Sequence, residues 1–147
     1  MTVVFRFTPD PQELRDISTD PMLADAGDLD LILLRQEVDL IIDDVPILTR
    51  HSIPLFFLTF WGLQQLRKLP TLRVVTFDIP EGPCQLRLEM QDGQVFVAER
   101  FKGASAAVDY SELLTAWEQF ANDAKSYLLS EFPQLARHPE VGSWFDE

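Results

Sequence analysis

The chain is poor in the residues that most often carry chemistry. It has one cysteine, two histidines and six glycines among its 147 residues. The single cysteine, Cys84, excludes an internal disulfide and fits a reducing cytoplasm. His51 and His138 are too few for most metal sites in proteins. Neither a GxGxxG nor a GxxxxGK[ST] phosphate loop occurs, and no GxSxG segment is present.

Basic residues and long apolar runs are also scarce. The formal net charge is −12, with 11 acidic against 4 basic side chains in residues 1–50 and 8 against 2 in residues 103–147. Nucleic acids and anionic membranes both attract Lys and Arg, so we expect neither as a partner. No apolar run reaches the ~20 residues of a membrane span, and the opening MTVVFRFTPD does not resemble a signal peptide. We therefore expect a cytoplasmic protein.

The most apolar stretch of the chain is IPLFFLTFWGLQQLRKL, over residues 53–69. Ser52 is predicted to cap a helix here, with Pro54 in its first turn and Pro70 as its stop. A helix that is apolar nearly all round is normally buried on more than one side. The aromatic residues of this helix are interpreted as core, in preference to the lining of a ligand pocket; they are Phe56, Phe57, Phe60 and Trp61.

Five other segments alternate between apolar and polar residues with the two-residue period of β-strands. They cover residues 3–7, 37–43, 71–79, 84–91 and 94–101. Asp43-Asp44 is predicted to be a turn, and Asp92-Gly93 a type I′ hairpin turn. The side chains predicted to point inward are Val38, Leu40, Ile42, Cys84, Leu86, Leu88 and Met90.

A second long helix is predicted from Tyr110 to about Phe132. Asp109 and Glu112 have the spacing of a capping box, and the preceding GASAA at residues 103–107 is predicted to be a flexible linker. The helix carries an apolar stripe at three- and four-residue steps, formed by Leu113, Trp117, Phe120, Ala124 and Leu128.

These elements predict an α+β fold with an antiparallel meander sheet and two main helices packed on one face. The length fits a single domain, 1–147. Within it, residues 8–28 are predicted to be a polar connecting segment with a short helix at 11–17. The aromatic pair Trp144 and Phe145 predicts that the tail, residues 133–147, is docked on the domain.

No catalytic, cofactor-binding or metal-binding residue is assigned. Cys84 is in phase with Leu86 and Leu88, so a buried thiol is the preferred interpretation over a nucleophile paired with a histidine. Asp25, Asp28 and Asp30 have a D-x-x-D-x-D spacing that a hard cation could use, but no glycine or bidentate glutamate completes a calcium loop. Solvated aspartates in turns and at strand ends are preferred. Paired carboxylates for a small hydrolytic enzyme stay open as a lesser alternative.

Acidic residues crowd two neighbouring segments of the first half of the chain. Such a cluster makes a field that attracts a Lys/Arg-rich surface. We therefore predict that a basic protein partner is bound by Asp28, Asp30, Glu37, Asp39, Asp43 and Asp44.

The layout of the chain from about Asp30 to Phe145 also carries a resemblance. IIDDVPIL is followed by the FFLTFWGLQQL helix, a DG hairpin, a capped helix with W-x-x-F and the closing FPQLARHPEVGSWF. This order resembles small acidic single-domain bacterial proteins, some of which are immunity proteins encoded beside secreted toxins. The resemblance implies a non-enzymatic module that binds one protein partner in the cytoplasm. The alternatives are a homo-oligomeric accessory protein, including a homodimer, and a small enzyme or ligand-binding fold.

Overall fold

The computed structural model of the chain describes residues 2–10, 34–79 and 84–146. The described part contains seven strands and two main helices. The predicted strands and helices occur in the predicted order, and Val45–Pro54 and Ser105–Asp109 form two further strands that were not predicted. The strands are β1 (Val3–Thr8), β2 (Arg35–Ile42), β3 (Val45–Pro54), β4 (Val74–Asp78), β5 (Gln85–Gln91), β6 (Gln94–Glu99) and β7 (Ser105–Asp109). The helices are the central helix, made of a π-helical turn (Phe57–Gly62) and α1 (Leu63–Leu72), and then α2 (Tyr110–Glu131). Two short 3₁₀ helices, Pro133–Arg137 and Gly142–Asp146, form the tail.

All strand pairs are antiparallel, so the predicted α+β class is confirmed. The strands form two sheets, however, with orders β1-β2-β3 and β4-β5-β6-β7, where one continuous sheet was predicted. The chain leaves the first sheet at the end of β3 and enters the central helix directly. β3 contacts β6 and β7 without forming a ladder with them. The two sheets therefore share one core while keeping separate hydrogen-bond networks.

Both predicted turns are present, and each joins two paired strands. Asp43 and Asp44 have φ of 49° and 67°, and Asp92 and Gly93 have φ of 51° and 79°. Two successive residues with positive φ define the type I′ turn, whose twist matches that of the flanking strands. Aspartate tolerates this left-handed region better than most residues do.

The central helix begins later and ends later than predicted. Ile53 and Pro54 belong to β3, and the Ser52 hydroxyl accepts a hydrogen bond from Arg35 Nε at 3.1 Å instead of capping the helix. Pro70 does not stop the helix but lies inside α1. A proline lacks the N–H that would bond the carbonyl four residues earlier, here that of Leu66.

A side chain from α2 replaces that missing N–H. The Tyr110 hydroxyl donates to the Leu66 carbonyl oxygen at 2.9 Å. The helix therefore continues through Pro70 to Leu72 and ends where Arg73 takes φ of 70°.

The central helix packs closely on α2 around Trp117. The Trp117 indole is fully buried and donates from Nε1 to the Leu58 carbonyl oxygen at 3.0 Å. A Cβ on Gly62 would lie 3.1 Å from Trp117 Cζ2, so a glycine permits the close approach. The predicted apolar stripe of α2 is buried. The apolar residues predicted to point inward from β2 and β5 are also buried at Val38, Leu40, Ile42, Leu86 and Leu88.

Two local predictions near α2 were wrong. Residues 103–107 are not a flexible linker, because β7 pairs with β6 and buries Val108. Asp109 stands at the N-cap of α2 without a side-chain capping hydrogen bond, so the capping box is not formed. The helix predicted at residues 11–17, the rest of the segment 11–28 and Asp25, Asp28 and Asp30 lie outside the described residues.

The tail lies against the central helix. Trp144 is buried, and its ring centroid is 4.8 Å from that of Phe56. A Cβ on Gly142 would stand 2.6 Å from the Ala136 carbonyl oxygen, which is too close for any other residue without a backbone shift. His138 is buried, and its Nδ1 accepts a hydrogen bond from the Glu140 N–H at 3.1 Å.

Candidate interaction surface

Asp39, one of the predicted partner-binding residues, is not exposed. It is 8% exposed, although the strand pattern predicted an outward position. Its Oδ2 accepts from Arg6 Nε at 3.2 Å, and its Oδ1 accepts from the Arg50 backbone N–H at 2.8 Å. Arg50 has φ of 50°, in a region where β2 and β3 lose regular register. Asp39 therefore holds an irregular part of the first sheet, and Arg6 offsets its charge.

Glu37, on the same strand, is exposed and lies opposite Thr8 and Ser52. Both of these neighbours are uncharged, and Glu37 lies at the surface of the first sheet. It stands at the start of β2, whereas the turn after β2 lies at the other end of the strand. Glu37 and the turn aspartates are therefore separated along the sheet.

The turn aspartates differ from each other in their contacts. Asp43 accepts from the Thr2 backbone N–H at 2.7 Å, and its own N–H donates to the Thr2 carbonyl oxygen at 2.8 Å. Asp43 thus ties the start of β1 to the turn. Asp44 is exposed. Its carboxylate is a better candidate for a partner contact than that of Asp43, because among the described residues it makes no hydrogen bond, whereas that of Asp43 accepts one.

The fold brings three further carboxylates to the end of the molecule where this turn lies. Val3 pairs with Ile42 and lines the same surface depression as Glu112, which places the turn beside the start of α2. Gln94 pairs with Asp109, and the Tyr110 N–H donates to the Gly93 carbonyl oxygen at 3.1 Å. The β5–β6 turn, with Asp92, therefore lies there as well. We call this surface the acidic end; it consists of Asp43, Asp44, Asp92, Asp109 and Glu112.

The acidic end contains one carboxylate oxygen that is poorly satisfied. Among the described residues, Glu112 Oε2 is buried and has no hydrogen-bond partner. Arg73 borders the acidic end, because its carbonyl oxygen accepts from the Met90 N–H at 2.8 Å near the β5–β6 turn. A surface on which carboxylates of one sign collect attracts a cationic partner.

Sequence reasoning missed Asp92, Asp109 and Glu112 as members of this surface. Their turn and capping patterns were visible, but those patterns assign each residue a local role only. The shared location depends on the pairing of β6 with β7 and of β1 with β2. Of the predicted residues, the structure brings Asp43 and Asp44 into the group, separates Glu37 and Asp39 from it, and does not describe Asp28 and Asp30.

A second group of ionisable side chains lies where the two sheets meet. Cys84 is 4% exposed, and burial together with the charge of Glu99 raises the pKa of its thiol to about 12. A thiol with that pKa is protonated at neutral pH and is a poor nucleophile. Burial, and then the nearby charge of Lys102, lowers the pKa of His51 from its ordinary value.

Glu99 has a structural role in this second group. Its Oε1 accepts from the Phe101 backbone N–H at 2.9 Å, and its Oε2 accepts from the backbone N–H groups of Phe101 at 2.8 Å and Lys102 at 3.2 Å. Both oxygens are therefore used by the turn between β6 and β7. In the described residues, no group of three or more His, Cys, Asp or Glu side chains is placed to hold a metal ion.

Within the same residues, neither main helix is long and apolar enough to cross a membrane. Comparison of the chain with protein-family models, with curated proteins and with solved structures gave no significant match.

Proposed function

We propose that this chain is a non-enzymatic protein-binding module that holds a basic protein partner through its acidic end. The observation that carries the proposal is the gathering of carboxylates from three separate parts of the chain at one end of the fold. Asp44 and Asp92 are exposed residues in tight turns. A two-residue turn is short, so few backbone torsions have to be ordered when a partner binds there.

Electrostatic steering is the mechanism that such a surface supports. A field of one sign raises the rate at which an oppositely charged protein arrives and orients it before contact. The chain as a whole carries −12, so a basic partner is attracted from outside the contact area as well. The resemblance to immunity proteins fits this mechanism, with a basic toxin as the partner. The single cysteine supports a cytoplasmic location.

The test compares two triple variants with equal changes in charge. The first, Asp44→Asn/Asp92→Asn/Asp109→Asn, neutralises three acids of the acidic end whose side chains make no hydrogen bond to the part of the chain that the structure describes. It leaves Asp39 and Asp43 unchanged, because the loss of their hydrogen bonds would destabilise the fold and obscure an effect on binding. The control, Asp78→Asn/Asp123→Asn/Glu140→Gln, neutralises three exposed acids on other parts of the surface.

The tagged wild-type chain is first used to capture its partner from lysate of the source cells. Association rates of the purified pair are then measured at several salt concentrations. We expect the first variant to associate about tenfold more slowly, while the control stays within about twofold of the wild type. A rate that responds to neither salt nor the first variant, or equally to both variants, would overturn the proposal.

Self-association is a second candidate function, and exposed apolar residues favour it. Val74 and Phe96 are 39% and 42% exposed. Val74 on β4 and Phe96 on β6 both pair with Glu89 on the strand between them, β5. The three side chains therefore form one row across the outer face of the second sheet. Light scattering of the wild type and of Phe96→Ser tests this role. A dimer that the substitution converts to monomer would favour it, and a wild-type monomer at about 100 µM would exclude a stable dimer.

A further inference from the structure

A cleft lies between the central helix and α2, away from the acidic end. Its volume is ≈ 160 Å³, close to that of a cavity that accommodates one benzene molecule. Trp144 of the tail lies on one side of it. The side chains that give the cleft its chemistry are Phe60, Trp144, Gln64, Asn122, Arg67 and Lys125.

Two aromatic rings from different elements form the apolar wall. The Phe60 and Trp144 centroids are 6.0 Å apart, and their planes meet at 84°. Phe60 belongs to the π-helical turn, and such turns occur frequently at functional sites. Thr59 in the same turn donates its hydroxyl to the Leu55 carbonyl oxygen at 2.8 Å, so its hydrogen atom is already used.

The polar wall has a positive charge balance. Arg67 Nη2 lies 3.3 Å from Glu118 Oε2, and the two side chains are 51% and 44% exposed. Lys125 Nζ lies 4.6 Å from the Trp144 ring centroid. Two cations and one anion therefore line a cleft in a chain whose net charge is −12. Cationic side chains in such a lining favour an anionic ligand.

We propose that the cleft binds a small aromatic monocarboxylate. A guanidinium matches a carboxylate in geometry and can bond both of its oxygens, which suits Arg67. The ligand ring has a place against Phe60 and Trp144, where edge-to-face contact is favourable. The amides of Gln64 and Asn122 can satisfy the remaining carboxylate lone pairs. The proposal goes beyond the binding of a basic protein, because it uses neither the acidic end nor any of its residues.

The test uses benzoate as the probe and the full chain labelled with ¹⁵N. Benzamide and benzylamine serve as neutral and cationic probes of nearly the same shape. We expect benzoate to shift the indole N–H signal of Trp144 and the side-chain amide signals of Gln64 and Asn122. Benzamide should bind at least about fivefold more weakly, and benzylamine should not shift these signals.

Three substitutions locate the site. Arg67→Gln should weaken benzoate binding at least about fivefold, and Lys68→Gln, the neighbouring exposed cation on the same helix, should leave it within about twofold. Glu118→Gln should strengthen binding, because it removes the anion that competes for Arg67. Equal binding of benzoate and benzamide, equal losses in the Arg67 and Lys68 variants, or no shift at 10 mM benzoate would each overturn the proposal.

Discussion

The packing around Trp117, where α2 meets the central helix, differs from the acidic end in burial and in charge. At the first, Trp117 is fully buried and touches residues from several elements. At the second, Asp44 and Asp92 are exposed and lie in turns with positive φ, which aspartate tolerates. The first region is therefore expected to carry stability, and the second can change its charge without a large effect on folding. Asp39, an acid buried in a sheet, lies between these extremes.

The largest loss of stability is expected from Trp117→Ala. It removes a buried ring that is 5.0 Å from the Phe5 centroid and 5.8 Å from the Phe77 centroid, and it leaves the Leu58 carbonyl oxygen without its donor. We expect a loss of about 3–5 kcal/mol in the free energy of unfolding, measured by urea denaturation. Phe60, which was interpreted as core, is only half-buried and lines the cleft, so Phe60→Ala is the control and should cost less. A smaller loss of unfolding free energy in Trp117→Ala than in Phe60→Ala would mean that Trp117 is not at the centre of the core.

An intermediate loss is expected from Asp39→Ala. This change removes the acceptor of the Arg50 N–H and of Arg6 Nε, and it should cost about 1–3 kcal/mol. Glu37→Ala, two residues earlier on the same strand and exposed, should change stability by less than about 0.5 kcal/mol. Equal effects of the two substitutions would remove the distinction between a structural and a surface acid.

A smaller, pH-dependent effect is expected from His51. Burial lowers its pKa in the folded chain below the ordinary value of 6.5, so the unfolded chain binds the proton more readily. Above pH 6.5 the histidine is neutral in both the folded and the unfolded chain, so its protonation does not lower the free energy of unfolding. That free energy should fall as the pH drops below 6.5 toward the folded pKa. His51→Gln should make that fall shallower between pH 7 and 5.5. Parallel stability curves for the two proteins would show that another group is responsible.

The smallest change in stability is expected from Asp44→Asn/Asp92→Asn/Asp109→Asn. Asparagine tolerates positive φ and is a good N-cap residue, so the backbone geometry at all three positions is retained. The free energy of unfolding should change by less than about 1 kcal/mol, in either direction. A larger loss in urea denaturation would mean that the acidic end is part of the folding core.

Local patterns predicted the elements that depend on near neighbours. The stripe of α2, the inward phase of β5 and the Asp92-Gly93 turn all follow from periodicity or from the φ that a turn requires. The patterns failed where a distant group changed the local outcome. Pro70 was predicted to end a helix, but the Tyr110 hydroxyl, 40 residues further along the chain, supplies the hydrogen bond that proline cannot make. Asp39 was predicted to face solvent, but the irregular backbone at Arg50 turned it into a buried acceptor.

The amino-acid sequence by itself determined the acidic charge, the scarcity of catalytic residue types and the α+β order of elements, because these follow from composition and short-range periodicity. Only the tertiary structure decided that the strands divide into two sheets and that Asp43, Asp44, Asp92, Asp109 and Glu112 share one end. It also decided that Trp144 returns to form a cleft with the central helix. The physical reason is that strand pairing and tail docking join residues far apart in the chain, and their positions depend on how the whole core packs.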